Sequence, residues 1–483
     1  MSRLRSMLAA LGAATGLVLA AVPAASAARA QSADRLAGFG HQTLTWQPCG
    51  TFQCTTLTVP QDYANPTGPV FHLPVIKAPA GDPAHRAGTL LVNPGGPAAS
   101  GVGFLQNYLP YALSPTLVAD FDVVAWDTRG IAGSDPALHC QDDAGLDAYY
   151  DLDPASTDAA TLVRAGRTYA AACRANSAPG LASRMGTIAG AFDTDVLRSA
   201  LGEAKISYFG TSYGTFAGAW YAQLFPTHLR ALVMDGMFST DLTGSQAVTA
   251  QAAAAEKEVQ YYESVKGNSA LIDSLAAKLR TSPLPVPGST RTVGPRGLAA
   301  ALVAAAQDPD NLWPYVDSAL AQAAAGDGTG LLTFQDGWSG RSPNGTHDPT
   351  VYQGEGMWCT DHVWPTTQTG YASMRSAAQA AGPHVGALIA EWGLPCTGWN
   401  PPTILPLPLT AAGSPPILVV STTGDPWTPY QWGVDAARTF AHGVLLTFHA
   451  HGHTAYERGN SCIDTDIDNY LVTGTPPANG TVC

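Results

Sequence analysis

A serine, an aspartate and a histidine, in that chain order and each near the end of an apolar run, set the chemistry this sequence can perform. Ser212 lies in Phe209-Gly210-Thr211-Ser212-Tyr213-Gly214-Thr215, the only Gly-x-Ser-x-Gly among 483 residues. A serine hydroxyl is a poor nucleophile unless an imidazole takes its proton, and the imidazole in turn is oriented by a carboxylate. Asp425, in Gly424-Asp425-Pro426-Trp427-Thr428-Pro429, and His453, in His449-Ala450-His451-Gly452-His453-Thr454, can supply both. His449 and His451 compete locally for the role of base. Gly452 suits a loop that must present a ring, and periodicity leaves His449 at a strand end, and both observations favour His453. Taken singly, each residue also has an ordinary reading: a buried serine in a strand-to-helix turn, or an aspartate capping the turn before Pro426.

Acyl transfer also needs donors for the developing oxyanion. One expected donor is the N–H of the residue after the nucleophile, Tyr213. Another is expected where Gly88-Thr89-Leu90-Leu91-Val92-Asn93 runs into Pro94-Gly95-Gly96-Pro97. Pro97 has no N–H, so Gly96 is the better candidate and Gly95 the second.

The elements that must carry these groups follow from hydrophobic patterning. Lys205 to Phe209 reads as a buried strand, and Phe216 to Phe225 as a helix ended by Pro226, so Ser212 sits on a strand–turn–helix elbow with small residues on either side. Further strands are expected at Val70 to Ala78, Gly88 to Asn93, Phe121 to Trp126 and Leu229 to Met234, with helices at Asp158 to Asn176 and Asp193 to Gly202. Alternation of this kind implies right-handed crossovers and a mostly parallel sheet with helices on both faces, an α/β class. Asp127 and Arg129, after the strand ending at Trp126, are expected to pair with each other or with backbone and so fix their loop. From about Met237 to Leu409 the pattern turns helical and Ala-rich, with runs at Gln246 to Leu279, Pro295 to Gln307 and Leu312 to Ala325. That segment is read as a cap over the C-terminal strand ends. The sheet resumes at Pro416 to Ser421 and Gly443 to Phe448. The expected organisation is a signal peptide at 1–30, a first core segment at 31–236, the cap at 237–409 and a C-terminal core segment at 410–483.

Composition narrows the setting. Charged residues make up 13% and hydrophobic residues 46%, against roughly 25% charged in average domains. The net charge of −13 speaks against nucleic acid or an anionic membrane as partner. Arg3 and Arg5, the apolar run Leu8 to Val22 and Ala25-Ser26-Ala27 form the pattern of a secretory leader, so a secreted, extracellular protein without stable membrane association is expected. Eight cysteines in an oxidising compartment suggest four disulfides. Sequence order offers the pairs 49 with 54, 140 with 173, 359 with 396 and 462 with 483. No Cys-x-x-Cys or His-Glu-x-x-His occurs, so no metal or other cofactor is expected.

The same residues carry a family resemblance. Asn93-Pro94-Gly95-Gly96-Pro97, Asp127-x-Arg129-Gly130, the elbow, Asp235-Gly236, Cys359-x-Asp361, Asp425-Pro426-x-Thr428-Pro429, Gly452-His453-Thr454 and the terminal Cys462 to Cys483 occur in order. Together they resemble the secreted tripeptidyl aminopeptidases of actinomycete type, relatives of proline iminopeptidase with the α/β-hydrolase fold. There are departures: Ala98 and Ala99 replace glycines of the family's loop, and Ala132 replaces another. The resemblance implies Ser212, Asp425 and His453 as a catalytic triad, no cofactor, and peptide substrates with a free N-terminus acted on by a monomer. The preference for His453 over His449 and His451 rests on it as well. An enzyme of that kind must hold an ammonium group about three extended residues from Ser212, roughly 10 Å. Glu355 and Asp361 are the candidate substrate-binding carboxylates. A secreted esterase or lipase with the same triad, and a non-catalytic binding protein of this fold, are the alternative readings.

Overall fold

A computed structural model describes residues 38–399 and 406–483. The expected leader lies outside the described residues. Strands β1 (Gln47–Cys49), β2 (Phe52–Pro60), β3 (Val70–Ala78), β4 (Gly88–Asn93), β5 (Phe121–Trp126), β6 (Ile206–Thr211) and β7 (Leu229–Asp235) come first. A two-residue hairpin, β8 (Leu284–Pro285) and β9 (Thr292–Val293), follows, and then β10 (Ile417–Gly424), β11 (Gly443–His451) and β12 (Thr481–Val482). Ten of them form one sheet in the order β1-β2-β3-β5-β4-β6-β7-β10-β11-β12. From β5 through β12 every pairing is parallel, whereas β1, β2 and β3 are added antiparallel at one edge. The protein therefore has the α/β-hydrolase fold.

Parallel strands buried on both faces read as continuous apolar runs, and their side chains divide by alternation. Ala231 and Val233 of β7 join Leu418 and Val420 of β10 on the face covered by the helices Gly101–Ala112, Pro115–Asp120 and Ser461–Thr473. Leu232 and Met234 join Ile417 and Val419 on the other face, under the helices Thr187–Ala200, Tyr213–Leu224 and Tyr430–Thr439.

Sequence and structure differ in instructive places. The expected helix from Gln246 to Leu279 is two helices, Gly244–Lys266 and Ser269–Leu279, because Gly267 takes a left-handed conformation (φ +64°) and caps the first. The helix expected from Asp193 begins at Thr187, so Asp193 is buried inside it rather than at its N-terminus. Strand β11 runs past Phe448 to His451, since β10 continues beside it and Gly424 pairs with His451. Between β7 and β10 stand helices and the β8–β9 hairpin. Two helices from before the elbow, Asp143–Tyr150 and Ala159–Asn176, pack against this layer, the second on the turn Pro395–Gly398.

The four disulfides join Cys49 to Cys54, Cys140 to Cys173, Cys359 to Cys396 and Cys462 to Cys483, neighbours in sequence throughout. Cys359–Cys396 fastens the helix Pro349–Asp361, which carries Glu355 and Asp361. No helix among the described residues is long and apolar enough to cross a membrane.

Asp127 and Arg129 do not pair with each other. Asp127 accepts from the Ser100 hydroxyl (2.6 Å) and from the N–H groups of Val102 and Gly133. Arg129, fully buried, grips Asp193 with two guanidinium nitrogens at 2.5 and 2.7 Å and donates to the carbonyls of Pro60, Gln61 and Arg184. Removing one partner of a buried pair strands the other charge. Arg129→Met is therefore expected to cost about 3–5 kcal/mol of stability, measured by urea denaturation, with Arg129→Met/Asp193→Leu recovering much of the loss.

Candidate active site

Ser212 occupies a backbone conformation that side chains seldom adopt, φ +54° and ψ −127°, between the end of β6 and the helix Tyr213–Leu224. A strained residue persists only where its surroundings fix it. Its N–H donates to the Asp235 carbonyl at 2.9 Å, and its carbonyl accepts from the N–H and hydroxyl of Thr215. The turn closes because it lacks side chains: a Cβ on Gly214 would stand 2.3 Å from the Asn93 carbonyl oxygen, and one on Gly210 would stand 2.6 Å from that of Gly214.

Beside the elbow, the loop after β4 turns through Gly95 (φ +87°) and Gly96 (φ +105°). Gly95 gives its N–H to the Asn93 side chain at 3.0 Å. The N–H groups of Gly96 and Tyr213 are not spent on an acceptor among the described residues, which favours Gly96 over Gly95 as a donor to a ligand.

Asp425 follows β10 and is 2% exposed. Its oxygens accept from the N–H groups of Trp427, Thr428 and Thr454 and from the Thr428 hydroxyl, all between 2.8 and 3.1 Å. His453 Nδ1 lies 2.9 Å from both of its oxygens. Burial pushes the Asp425 carboxyl up, but the His453 charge and these hydrogen bonds outweigh it and hold the group below the usual carboxylate range. With Nδ1 committed to a carboxylate it carries the proton, leaving Nε2 free to accept one. The other two histidines are occupied elsewhere. His451 pairs with Glu258 at 2.6 Å and stacks on Tyr261, and His449 lies beside Thr423.

The loops bearing Asp425 and His453 are clasped by the helical layer. Gln307, at the end of the helix Pro295–Gln307, accepts the His453 N–H through its carbonyl (2.9 Å) and the Trp427 indole N–H through its side chain (3.1 Å). Arg458 adds an ion pair to Asp310 at 2.8 Å.

Ser212, Tyr213, Gly96, His453, Gln251 and Gln307 line one cavity of about 330 Å³. A second, of about 320 Å³, is bounded by Glu355 and shares Gly96, Ala99, Trp338, Trp358 and Trp392 with the first, so the two are contiguous. Ala98 and Ala99, the residues in place of glycines, put their methyls on its wall. Glu355 receives the hydroxyls of Tyr150 (3.2 Å) and Tyr169 (2.7 Å). Burial raises its carboxyl to about 8, against the lowering effect of the Tyr169 bond and with a further push from Glu391.

Asp361 is placed differently. It lies behind the elbow, where it accepts from the Thr187 N–H (2.7 Å), the Thr187 hydroxyl and the Tyr213 hydroxyl (2.8 Å). Burial raises it to about 6, opposed by those bonds. Sequence reasoning missed Tyr150, Tyr169, Gln251 and Gln307. Each is an ordinary helix residue in the sequence, and no spacing ties it to Ser212. Thr428 was visible within the Asp-Pro-x-Thr pattern, although not as a donor to Asp425. The one group of close metal-ligand types among the described residues, Cys462, Asp466 and Cys483, has both sulfurs in a disulfide.

The arrangement can transfer an acyl group: a hydroxyl on a strained, half-buried residue, an imidazole held by a buried carboxylate, and two backbone donors meet in one cavity. Comparisons with known proteins place the chain among hydrolases. A family model described as TAP-like protein matches residues 382–483. The chain is 32% identical to the serine protease Hip1 of Mycobacterium tuberculosis, over 98% of this chain and 96% of that protein. It is 32% identical to carboxylesterase B of the same organism, over 97% and 95%. It is 31% identical to a tripeptidyl aminopeptidase of Streptomyces lividans, over 96% and 88%. By fold, by the order of its motifs and by similarity along almost its whole length, the chain belongs to the tripeptidyl aminopeptidase-like family of α/β-hydrolase serine hydrolases.

Proposed function

We propose that the protein is a secreted serine exopeptidase that releases tripeptides from free N-termini. Ser212 attacks the scissile carbonyl, and its proton passes to His453 Nε2 while Asp425 holds the ring. The N–H groups of Gly96 and Tyr213 receive the oxyanion, each contributing about 3 kcal/mol to the transition state. His453 then protonates the leaving amine, and water releases the acyl group by the same steps in reverse order. The four disulfides support export.

The observation that carries the exopeptidase reading is Glu355, a buried carboxylate on the wall of a cavity continuous with that of Ser212. An ammonium group brought against it pairs with the ionised form, and aromatic walls at Trp338, Trp358 and Trp392 favour a cation further. A carboxylate on the wall of a pocket continuous with the Ser212 cavity suits the charged end of a chain better than a continuous, uncharged backbone. Asp361 has another task in this reading. Its bond to the Tyr213 ring fixes the residue whose N–H faces the oxyanion, so Asp361 positions the elbow and Glu355 alone binds the ammonium. Ester hydrolysis is the second reading, favoured by the similarity to a protein named carboxylesterase B.

Peptide anilides one to four residues long, each with a free and an acetylated N-terminus, separate these readings. Fast cleavage of free tripeptides with acetylated ones resistant is the expected result, and equal cleavage of both forms sinks the exopeptidase assignment. Ser212→Ala should lower turnover by a factor on the order of 10⁶. In Glu355→Gln, KM for free tripeptides should rise about ten- to a hundredfold, the worth of a charge-assisted bond, with kcat changed less. Because the Glu355 carboxyl ionises near 8, kcat/KM for free tripeptides should climb as pH rises through that value. It should then fall as the substrate amine, with an ordinary pKa of about 8, loses its proton. Glu355→Gln should erase the climbing limb. Asp361→Asn should instead lower kcat for free and blocked substrates alike while leaving KM for the free amine near its original value.

A further inference from the structure

Two polar atoms belonging to residues that line the Ser212 cavity are buried without a hydrogen-bond partner among the described residues, Gln251 Oε1 and Trp358 Nε1. Gln251 projects from the helix Gly244–Lys266 and is 2% exposed. Its amide orientation is dictated by chemistry. Nε2 donates to the Trp427 carbonyl at 2.8 Å, a bond only the NH₂ end can make, so the carbonyl end is left over. A buried acceptor without a donor is a standing cost that a ligand N–H removes.

The position of Gln251 says which ligand atom. Gln251, Gln307, Trp427 and His453 line the Ser212 cavity but not the Glu355 cavity. Trp427 gives its own N–H to Asp425 at 2.9 Å, so Gln251 is tied to the loop that holds the triad carboxylate. Gln251 therefore belongs to the part of the site that the Glu355 cavity does not share, beside the loop that carries Asp425, and an extended peptide with its end at Glu355 would bring its scissile N–H to that part. Trp358 lines both cavities and offers the complementary donor along the acyl path. One extended peptide supplies a partner to each: a carbonyl for the indole and an N–H for the glutamine.

We propose that Gln251 Oε1 accepts a hydrogen bond from the N–H of the scissile amide and so makes the site select amides over esters. The proposal rests on the peptidase reading above and names the determinant that sets it apart from an esterase. As the Ser212 Oγ–C bond forms, the hydroxyl proton moves to His453 Nε2. When the C–N bond breaks, its electron pair stays on nitrogen, which takes the proton from His453. The hydrogen already on that nitrogen is held by Gln251 throughout and leaves with the amine. An ester oxygen receives the same proton from His453 but carries no hydrogen for Gln251, so the buried carbonyl stays unpaired. Sites built to hydrogen-bond a substrate N–H reject analogues lacking it for this reason.

The test compares a free tripeptide joined to an amino acid by an amide with its depsipeptide, in which oxygen replaces the scissile N–H. In Gln251→Leu the amide-to-ester ratio of kcat/KM is expected to fall about ten- to a hundredfold from that of the wild type. A ratio unchanged within about threefold overturns the proposal, whether both substrates decline together through loss of the Trp427 bond or neither declines. The wild-type protein gives a check that needs no variant. A substrate with glycine after the scissile bond should be cleaved at least about tenfold faster than one with N-methylglycine, and equal rates overturn the proposal. Wild-type turnover of esters with no cleavage of any amide sinks the peptidase reading itself, a result distinct from an unchanged ratio.

Discussion

Backbone packed on backbone at the elbow is the constraint on which the site depends. Strand β6 and the helix Tyr213–Leu224 meet at Gly210 and Gly214 with no room for a single methyl group, and the β4 loop presses in from the side. That contact forces Ser212 into positive φ, at a cost of about 1–3 kcal/mol. The cost is offset by what surrounds it: the bond from Ser212 to the Asp235 carbonyl, the Thr215 hydroxyl and the fully buried strands on either side. The same contact sets the N–H of Tyr213 and the turn at Gly96 beside one cavity. The proposed nucleophile and the proposed oxyanion donors are thus consequences of one packing problem.

A second centre, Asp425, organises the opposite wall. Five donors converge on two oxygens: three backbone N–H groups, one hydroxyl and one imidazole. A carboxylate so fully used is kept ionised despite burial. Glu355 and Asp361 show the contrary case. Both are buried with fewer donors, and both are raised. The three acids therefore differ in how readily they ionise: the His453 charge and five donors outweigh burial at Asp425, while burial prevails at Glu355 and Asp361, which suits one to hold an imidazole, one to meet an incoming cation and one to anchor a tyrosine ring.

Much of this was legible in the sequence because it is local. The parallel strands announce themselves as apolar runs, the elbow as small residues around a serine, and Asp425 and His453 by standing where β10 and β11 end. Neighbour pairing of the cysteines succeeded for the same reason, since each pair joins elements close in the chain. What stayed hidden depends on distant partners. Asp127 and Arg129 are expected from the sequence to pair with each other or with backbone, and both do bond to backbone, but the charge partner of Arg129 is Asp193, placed beside it only by the fold. Glu355 and Asp361 lie six residues apart on one helix and look alike on paper. Only Tyr150 and Tyr169, from two other helices, on one side, and Thr187 and Tyr213 on the other, distinguish them. The break at Gly267 shows the limit of periodicity, which carries on across a glycine that the chain uses to turn.

The clasp of Gln307 on both triad loops ties the roof of the site to its chemistry. A roof hinged free of the catalytic residues can swing wide, admit a bulky guest and close again. Here the helix overhead holds the backbone of His453 and the indole beside Asp425, so lifting it would unseat the proposed base. If the cavity takes a chain end as proposed, such a roof favours substrates that enter by a loose end. The folded shape of a protein and the frayed state of its terminus become the quantities such an enzyme reads. It would act as a gleaner, consuming fragments that other cleavages have already set loose and passing over chains whose ends are tucked away.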